Sequence, residues 1–407
     1  MCLVRMFSGG IWASAGPLLP FIVGAYGLSR GTAAWFASIS PLAIIILTAP
    51  LSLVATRISP KKFFAFGAFL QAGGLLAPLC GTYLPLLLTR AAYALGAGIT
   101  FPLIPALASE WFPAEQVPLV NGITLSFNSL GNALAFLLTV PVATALSWKD
   151  TITIYGAGAL LVAIAWAFLG RDKNKDRVSE KANKENGPDP DSPVAPELTI
   201  RQALTQRSTV LMSLATLGCW GFGNSLGAWL PSYYHSVFKM PLERASSITA
   251  TITLVGIFAC IAGGFLPLRF RRRRPFLIVP GLFLGIFGMV AVLVDNIVVI
   301  YLAIGCYGLL NSLYGPTLFT IPFEIYRGSP RTAAFVAFTV QIAGNIGNFI
   351  APLMVGYLTD LTGSYLPGFF ISASLSLLML MAGVLLPETG GNAPGAQSRL
   401  QLKPAAH

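Results

Sequence analysis

Apolar positions in this chain do not alternate with polar ones; they run together. Twelve stretches are apolar and almost free of charge. They are roughly 6–27, 32–56, 62–80, 82–109, 118–145, 150–170, 208–236, 244–268, 275–294, 296–324, 332–358 and 365–387. Each is near the ~20 residues that an α-helix needs to cross the hydrocarbon core. Most Pro and Gly residues fall inside these runs, where membrane helices tolerate them. The pattern predicts an all-α membrane protein with twelve transmembrane helices.

One segment breaks the pattern. "GRDKNKDRVSEKANKENGPDPDSPVAPELTIRQALTQRS" is polar, carries both charge signs and reads as a solvated linker. It gives a first bundle of six spans (1–170), a linker (171–207), a second bundle of six (208–390) and a tail (391–407). The bundles repeat each other. Gly16-Pro17-Leu18-Leu19-Pro20 in span 1 matches Gly227-Ala228-Trp229-Leu230-Pro231 in span 7. Arg57 after span 2 pairs with Arg269 after span 8, "GNALAF" (131–136) with "GNIGNF" (344–349), and Glu110 with Glu324. The four shifts are 211, 212, 213 and 214 residues, in one order. That argues for a duplicated six-helix unit.

Composition agrees. Hydrophobic residues make up 55% of the 407 and charged ones 10%, against about 25% in soluble domains. With a cytoplasmic N-terminus, most of the 26 Lys and Arg residues fall on inner loops, including eight between 171 and 207. Arg30, Lys149, Lys239 and Arg244 fall outside, and Arg5 flanks the first span. The positive-inside rule then expects both termini in the cytoplasm and the chain in the cell inner membrane. "FRRRRP" (270–275) sits between two spans, so it faces lipid headgroups and is no nucleic-acid patch. The five cysteines show no C-x-x-C spacing, and no metal or cofactor motif is present. No cleavable signal peptide is expected.

The 6+6 spans, long central loop and basic loops after spans 2 and 8 resemble the major facilitator superfamily over nearly the whole chain. Its loop signature is kept in part, by Arg57, Ser59 and Lys61 and again by Gly264, Leu266 and Arg269; the acidic position is lost in both copies. Arg90, Ala94, Gly96 and Gly98 match its span 4 signature. "GPLLP", "EWFPAEQ" and the ending "GYLTDLTGSYLPGF" look most like the cyanate and nitroimidazole branch and neighbouring organic-anion carriers. The resemblance implies a secondary carrier working by alternating access. Spans 1, 4, 7 and 10 would line the cavity, and spans 2, 5, 8 and 11 would join the halves. The loops of Arg57, Lys61 and Arg269 would act as gates.

Gly223-Asn224-Ser225-Leu226-Gly227 spells G-x-S-x-G, the nucleophile elbow of serine hydrolases. That elbow needs a strand before it and a base within reach. Here the string lies inside a helix, with His235 ten residues, about 15 Å, away. No enzyme is expected. Asn-Ser-Leu instead recurs at 128–130, 224–226 and 311–313. Asn can hydrogen-bond between helices or line a cavity, and both readings stand. Helical spacing gathers Gln341, Asn345 and Asn348; Tyr307, Asn311 and Tyr314; and Asn121, Asn128 and Asn132 into stripes. Such stripes face protein or water, never lipid. Apart from Asn121, they join Asn224 and Trp220, a ring that could stack on a planar ligand, as the candidate substrate-binding residues. Tyr233 and Tyr234 read as interfacial anchors.

Arg90 is the one charge well inside a predicted span. It anchors backbone carbonyls or it receives an anion. No Asp or Glu lies at that depth, so Glu110, His235 and Glu324 are the candidates for proton coupling. The expected cargo is a small organic or inorganic anion. Efflux of planar, weakly polar compounds is the alternative, and a non-transporting membrane sensor is the alternative of another class. The expected partners are a small-molecule substrate, protons and lipids, with the chain a monomer.

Overall fold

The computed structural model describes residues 1–55, 59–113, 116–170, 200–270, 272–326 and 329–389. The first span is two helices, α1 (Cys2–Ala13) and α2 (Ala15–Tyr26), bent by 43° at Ser14. Pro17 and Pro20 account for the bend. Neither has an N–H, so the carbonyls of Ala13 and Gly16, four residues earlier, lose their helical donors.

The first half continues with α3 (Arg30–Ala55), α4 (Pro60–Leu70), α5 (Tyr83–Trp111), α6 (Val117–Ala145) and α7 (Trp148–Leu169). Span 3 tightens after α4 into a 3₁₀ stretch, Gln71–Leu79. Gly73 and Gly74 there press against the backbones of Thr89 and Ile152, where a side chain would collide. A short α8 (Ile200–Thr205) precedes the second half. That half holds α9 (Arg207–Ser236), α10 (Leu242–Phe270), α11 (Pro275–Leu293), α12 (Ile297–Ile325), α13 (Pro330–Thr362) and α14 (Leu366–Leu385).

Among the described residues, ten segments are long and apolar enough to cross a membrane, and the bent pair makes eleven. The twelfth is α9, whose Gly, Ser, Asn and Tyr residues lower its hydropathy. It is largely covered by protein rather than lipid, so it does not need an apolar surface. No strand occurs among the described residues.

Within the first half α1 packs on α6, α3 on α5, and α7 on the 3₁₀ stretch. Within the second, α9 packs on α13 and α14, α10 on α12, and α11 on α12 and α14. The halves meet through α3 with α13, α6 with α10 and α2 with α9. These are spans 2 with 11, 5 with 8 and 1 with 7.

Alternate spans run away from the face that holds Met1 and return to it; we term that the terminal face and the opposite one distal. Among the described residues, the halves meet toward the distal end through Arg30 on Asp360, Trp35 on Phe349 and Tyr357, Ala135 and Phe136 beside Ala250, and Gly16 on Gly227. The extended packing partners of α5 and α12 lie within their own halves.

Tyr233 and Tyr234 are not at a lipid interface. Both are buried, and their hydroxyls donate to Val292 O at 2.6 Å and Ala291 O at 2.8 Å. They fill the unpaired carbonyls at the C-terminal end of α11.

Candidate functional site

Proline leaves carbonyls unpaired in these helices, and lipid cannot supply donors. Asn224 and Arg5 supply such donors, and Arg90 binds carbonyls at the bend of the first span. Arg90, on α5, is 4% exposed. Its Nη1 donates to Ile11 O, its Nη2 to Trp12 O at 3.3 Å and its Nε to Phe36 O at 3.3 Å. Ile11 and Trp12 lie just before the break at Ser14. The guanidinium carbon also sits 4.5 Å from the Phe36 ring centre. Every nitrogen of Arg90 is thus engaged, holding the bent first span to spans 2 and 4. A small cavity beside it, bounded by Ser14, Thr89, Tyr93 and Tyr155, has room for roughly one water.

Asn224 acts in the same way. Its Nδ2 donates to Asn348 O at 2.8 Å. The helical donor for that carbonyl would be residue 352, which is Pro352. Trp229 Nε1 then takes Pro352 O at 2.9 Å. These two bonds join α9 to α13.

Around Gly223 the structure brings predicted residues together. A Cβ there would lie 3.2 Å from Tyr307 Oη and 3.5 Å from Asn311 Oδ1. Tyr307 Oη is buried without a partner. Tyr314 is buried too, while Trp220 is half-buried, packed on Gly344 and 5.9 Å from the Phe319 ring. Asn128 and Asn132 lie in the other half. They sit against Gly9 of α1, their Oδ1 atoms buried and unpartnered. On α13, Asn345 bonds back to Gln341 O at 3.1 Å, and Gln341 is exposed. The stripes therefore form two groups, one per half, and Arg90 belongs to neither.

Sequence reading missed Arg5. Its position at the edge of the first apolar run made it look like a flanking charge. The structure puts it in α1, 5% exposed, with its guanidinium carbon 3.5 Å from the Phe101 ring centre. Nη2 donates to Phe101 O at 3.2 Å, the carbonyl left free by Pro105. Nε and Nη1 are buried and have no partner. Phe101 lies ten residues from the end of α5 at Trp111, about 15 Å into the bundle. Pro102 and Pro105, four residues apart from their own acceptors, were the signal that a donor had to arrive there.

The proposed gates and coupling groups lie at the rims. Lys61 is in the first turn of α4, which Ser59 caps. Arg269 is in the last turn of α10, and Arg57 lies outside the described residues. Glu324 pairs with Arg273, Oε1 to Nη2 2.6 Å, and accepts from Thr389 at 2.5 Å. Glu388 accepts from the backbone N–H groups of Arg273 at 2.6 Å and Arg274 at 3.2 Å. Two glutamates thus tie the loop after span 8 without the lost acidic position. Glu110 is half-buried at the end of α5. His235 is exposed on the distal side, its Nδ1 2.9 Å from Met240 O.

Ser225 is fully buried and donates to Phe222 O at 2.8 Å, within its own helix. It has neither a base nor access to solvent.

Known proteins share this fold. The probable sulfoacetate transporter SauU of Cupriavidus necator is 25% identical, over 79% of this chain and 77% of its own. The probable nitrate transporter NarT of Staphylococcus haemolyticus is 24% identical over 90% of each. The inward-open structure of the xylose transporter XylE from Escherichia coli superposes with a TM-score of 0.75 at 14% identity, covering 96% of each chain. Residues 1–347 match the Major Facilitator Superfamily, and with its duplicated six-helix bundles the chain belongs to that family of membrane transporters, not to the enzymes.

Proposed function

We propose that the protein carries a small anion by alternating access, with the distal ends of its halves together in this structure. The terminal face bears the basic loops, so it would be cytoplasmic in the cell inner membrane. Arg5 carries the reading. A buried guanidinium with two unpartnered nitrogens is costly, and a carboxylate, sulfonate or nitrate matches its donors. Arg90, each of whose nitrogens has a carbonyl acceptor, holds the fold. The polar groups around Gly223, with Asn128 and Asn132, would line the rest of the path. The relatives named for sulfoacetate and nitrate transport fall in this charge class.

The test is a thermal-shift titration of purified protein with nitrate, sulfoacetate and neutral glycerol. The two anions should stabilise saturably and glycerol should not. Arg5→Lys should fold and lose at least tenfold in anion affinity, since a point charge cannot replace the fork. A folded Arg5→Gln variant with unchanged affinity would reject the reading.

A further inference from the structure

The distal seam holds an interaction that neither the anion nor the basic loops explain. Helix α3 begins there, and the first N–H groups of a helix lack internal acceptors and carry partial positive charge. Ser29 Oγ accepts from Thr32 N at 3.2 Å. The other half of the protein takes the next two. Asp360 Oδ1 accepts from Arg30 N at 3.0 Å and Asp360 Oδ2 from Gly31 N at 2.7 Å. Asp360 is in the last turn of α13.

The Arg30 side chain does not pair with this carboxylate. Its Nε donates to the Tyr365 hydroxyl at 3.0 Å, with the guanidinium carbon 5.4 Å from that ring's centre. The approach is close because two residues lack side chains. A Cβ on Gly31 would strike the Tyr357 ring, and one on Gly356 would lie 2.8 Å from Arg30 O.

We propose that Asp360 is the latch of the distal gate, acting as the N-terminal cap of a span in the opposite half. Such a cap exists only while the distal ends of α3 and α13 are together. Opening that face hands Arg30 N, Gly31 N and the carboxylate to water. The charge of Asp360 therefore biases the protein toward the conformation seen here, whatever the substrate.

Spin labels at Leu146→Cys and Val237→Cys, exposed distal sites in opposite halves, report the gate. Cys2, Cys260 and Cys306 are replaced by Ser to leave only those labels. Electron–electron distance measurements on the protein in nanodiscs should show Asp360→Ala raising the ratio of open to closed distal face about fivefold. Proline is favoured at the first helical position and removes its N–H, so Arg30→Pro should open the gate too. Arg30→Ala keeps that N–H and should act less than either. An unchanged distance distribution in Asp360→Ala would overturn the proposal. So would Arg30→Ala matching Asp360→Ala while Arg30→Pro adds nothing, since that pattern belongs to a side-chain ion pair.

Discussion

The Cα of Gly16 faces the carbonyl oxygen of Gly227 where the two halves meet, with no room for a Cβ between them. Both residues open the same Gly-x-x-x-Pro string, Gly16 to Pro20 and Gly227 to Pro231. The proline frees the glycine carbonyl four residues before it. At Gly227 that freed oxygen points at the backbone of the other half, where a Cα–H can approach it.

The contact is one-sided, which makes it testable. A Cβ on Gly16 would collide with Gly227 O, whereas one on Gly227 meets only Phe136 Cζ at 3.8 Å. Gly16→Ala should cost about 1–3 kcal/mol of the closed distal state, the usual range for overpacking. Gly227→Ala should stay within about 0.5 kcal/mol. Thermal unfolding of the two variants side by side checks the difference.

Arg90→Ala should fail as a fold before it fails as a transporter. It would remove the charged donor that joins Ile11 O, Trp12 O and Phe36 O, at about 1.5–3 kcal/mol for each hydrogen bond to a charged group. Arg90→Lys, with one compact ammonium, should recover part of this. The measurement is the melting temperature without ligand, and a fully stable Arg90→Ala would contradict it.

Asn224→Leu should destabilise by about 1–3 kcal/mol, because Asn348 O has no other helical donor beside Pro352. Ser225→Ala, one residue on, should be nearly neutral. Its hydroxyl serves only Phe222 O in its own helix. Transport by Ser225→Ala should match the parent, and an ester-hydrolysis assay should show no activity in either.

The loop after span 8 should depend on its glutamates jointly. Glu324→Gln removes the partner of Arg273, and Glu388→Gln weakens the cap on the same backbone. A double-mutant cycle should give a coupling of about 0.5–3 kcal/mol, as for residues in one network. Additive losses would mean that the two act separately.

Proton coupling through Glu110, His235 and Glu324 is a proposal with its own measurement. A pH gradient should accelerate uptake into vesicles less after all three are replaced. Glu324 enters that test already bound to Arg273 and His235 stands in the open, so the triple variant is more informative than any single one.

Some features were legible because they are one-dimensional. Span number and the duplication follow from apolar runs and from matched residues about 212 positions apart. Lipid imposes the spans, since each needs a continuous apolar length whatever surrounds it. Even so, α9 is the least apolar of the spans, because its neighbours in the bundle replace lipid around it.

The roles of the polar residues were not legible. Arg90 stood out as a charge in an apolar run, yet anchor and anion site predict the same sequence. Arg5 did not stand out, because a charge at the edge of such a run is what a membrane boundary also produces. What separates them is which carbonyls each can reach, and those carbonyls lie 54 to 96 positions away along the chain, on other helices. The sequence by itself therefore determined the twelve spans, the six-plus-six repeat and the family. Tertiary structure alone decided that Arg90 and Asn224 answer helix breaks, that Arg5 keeps free donors, and that Asp360 caps a helix of the opposite half. A helix break shows in sequence as a proline, but its remedy is supplied across space, by a residue whose position along the chain carries no sign of it.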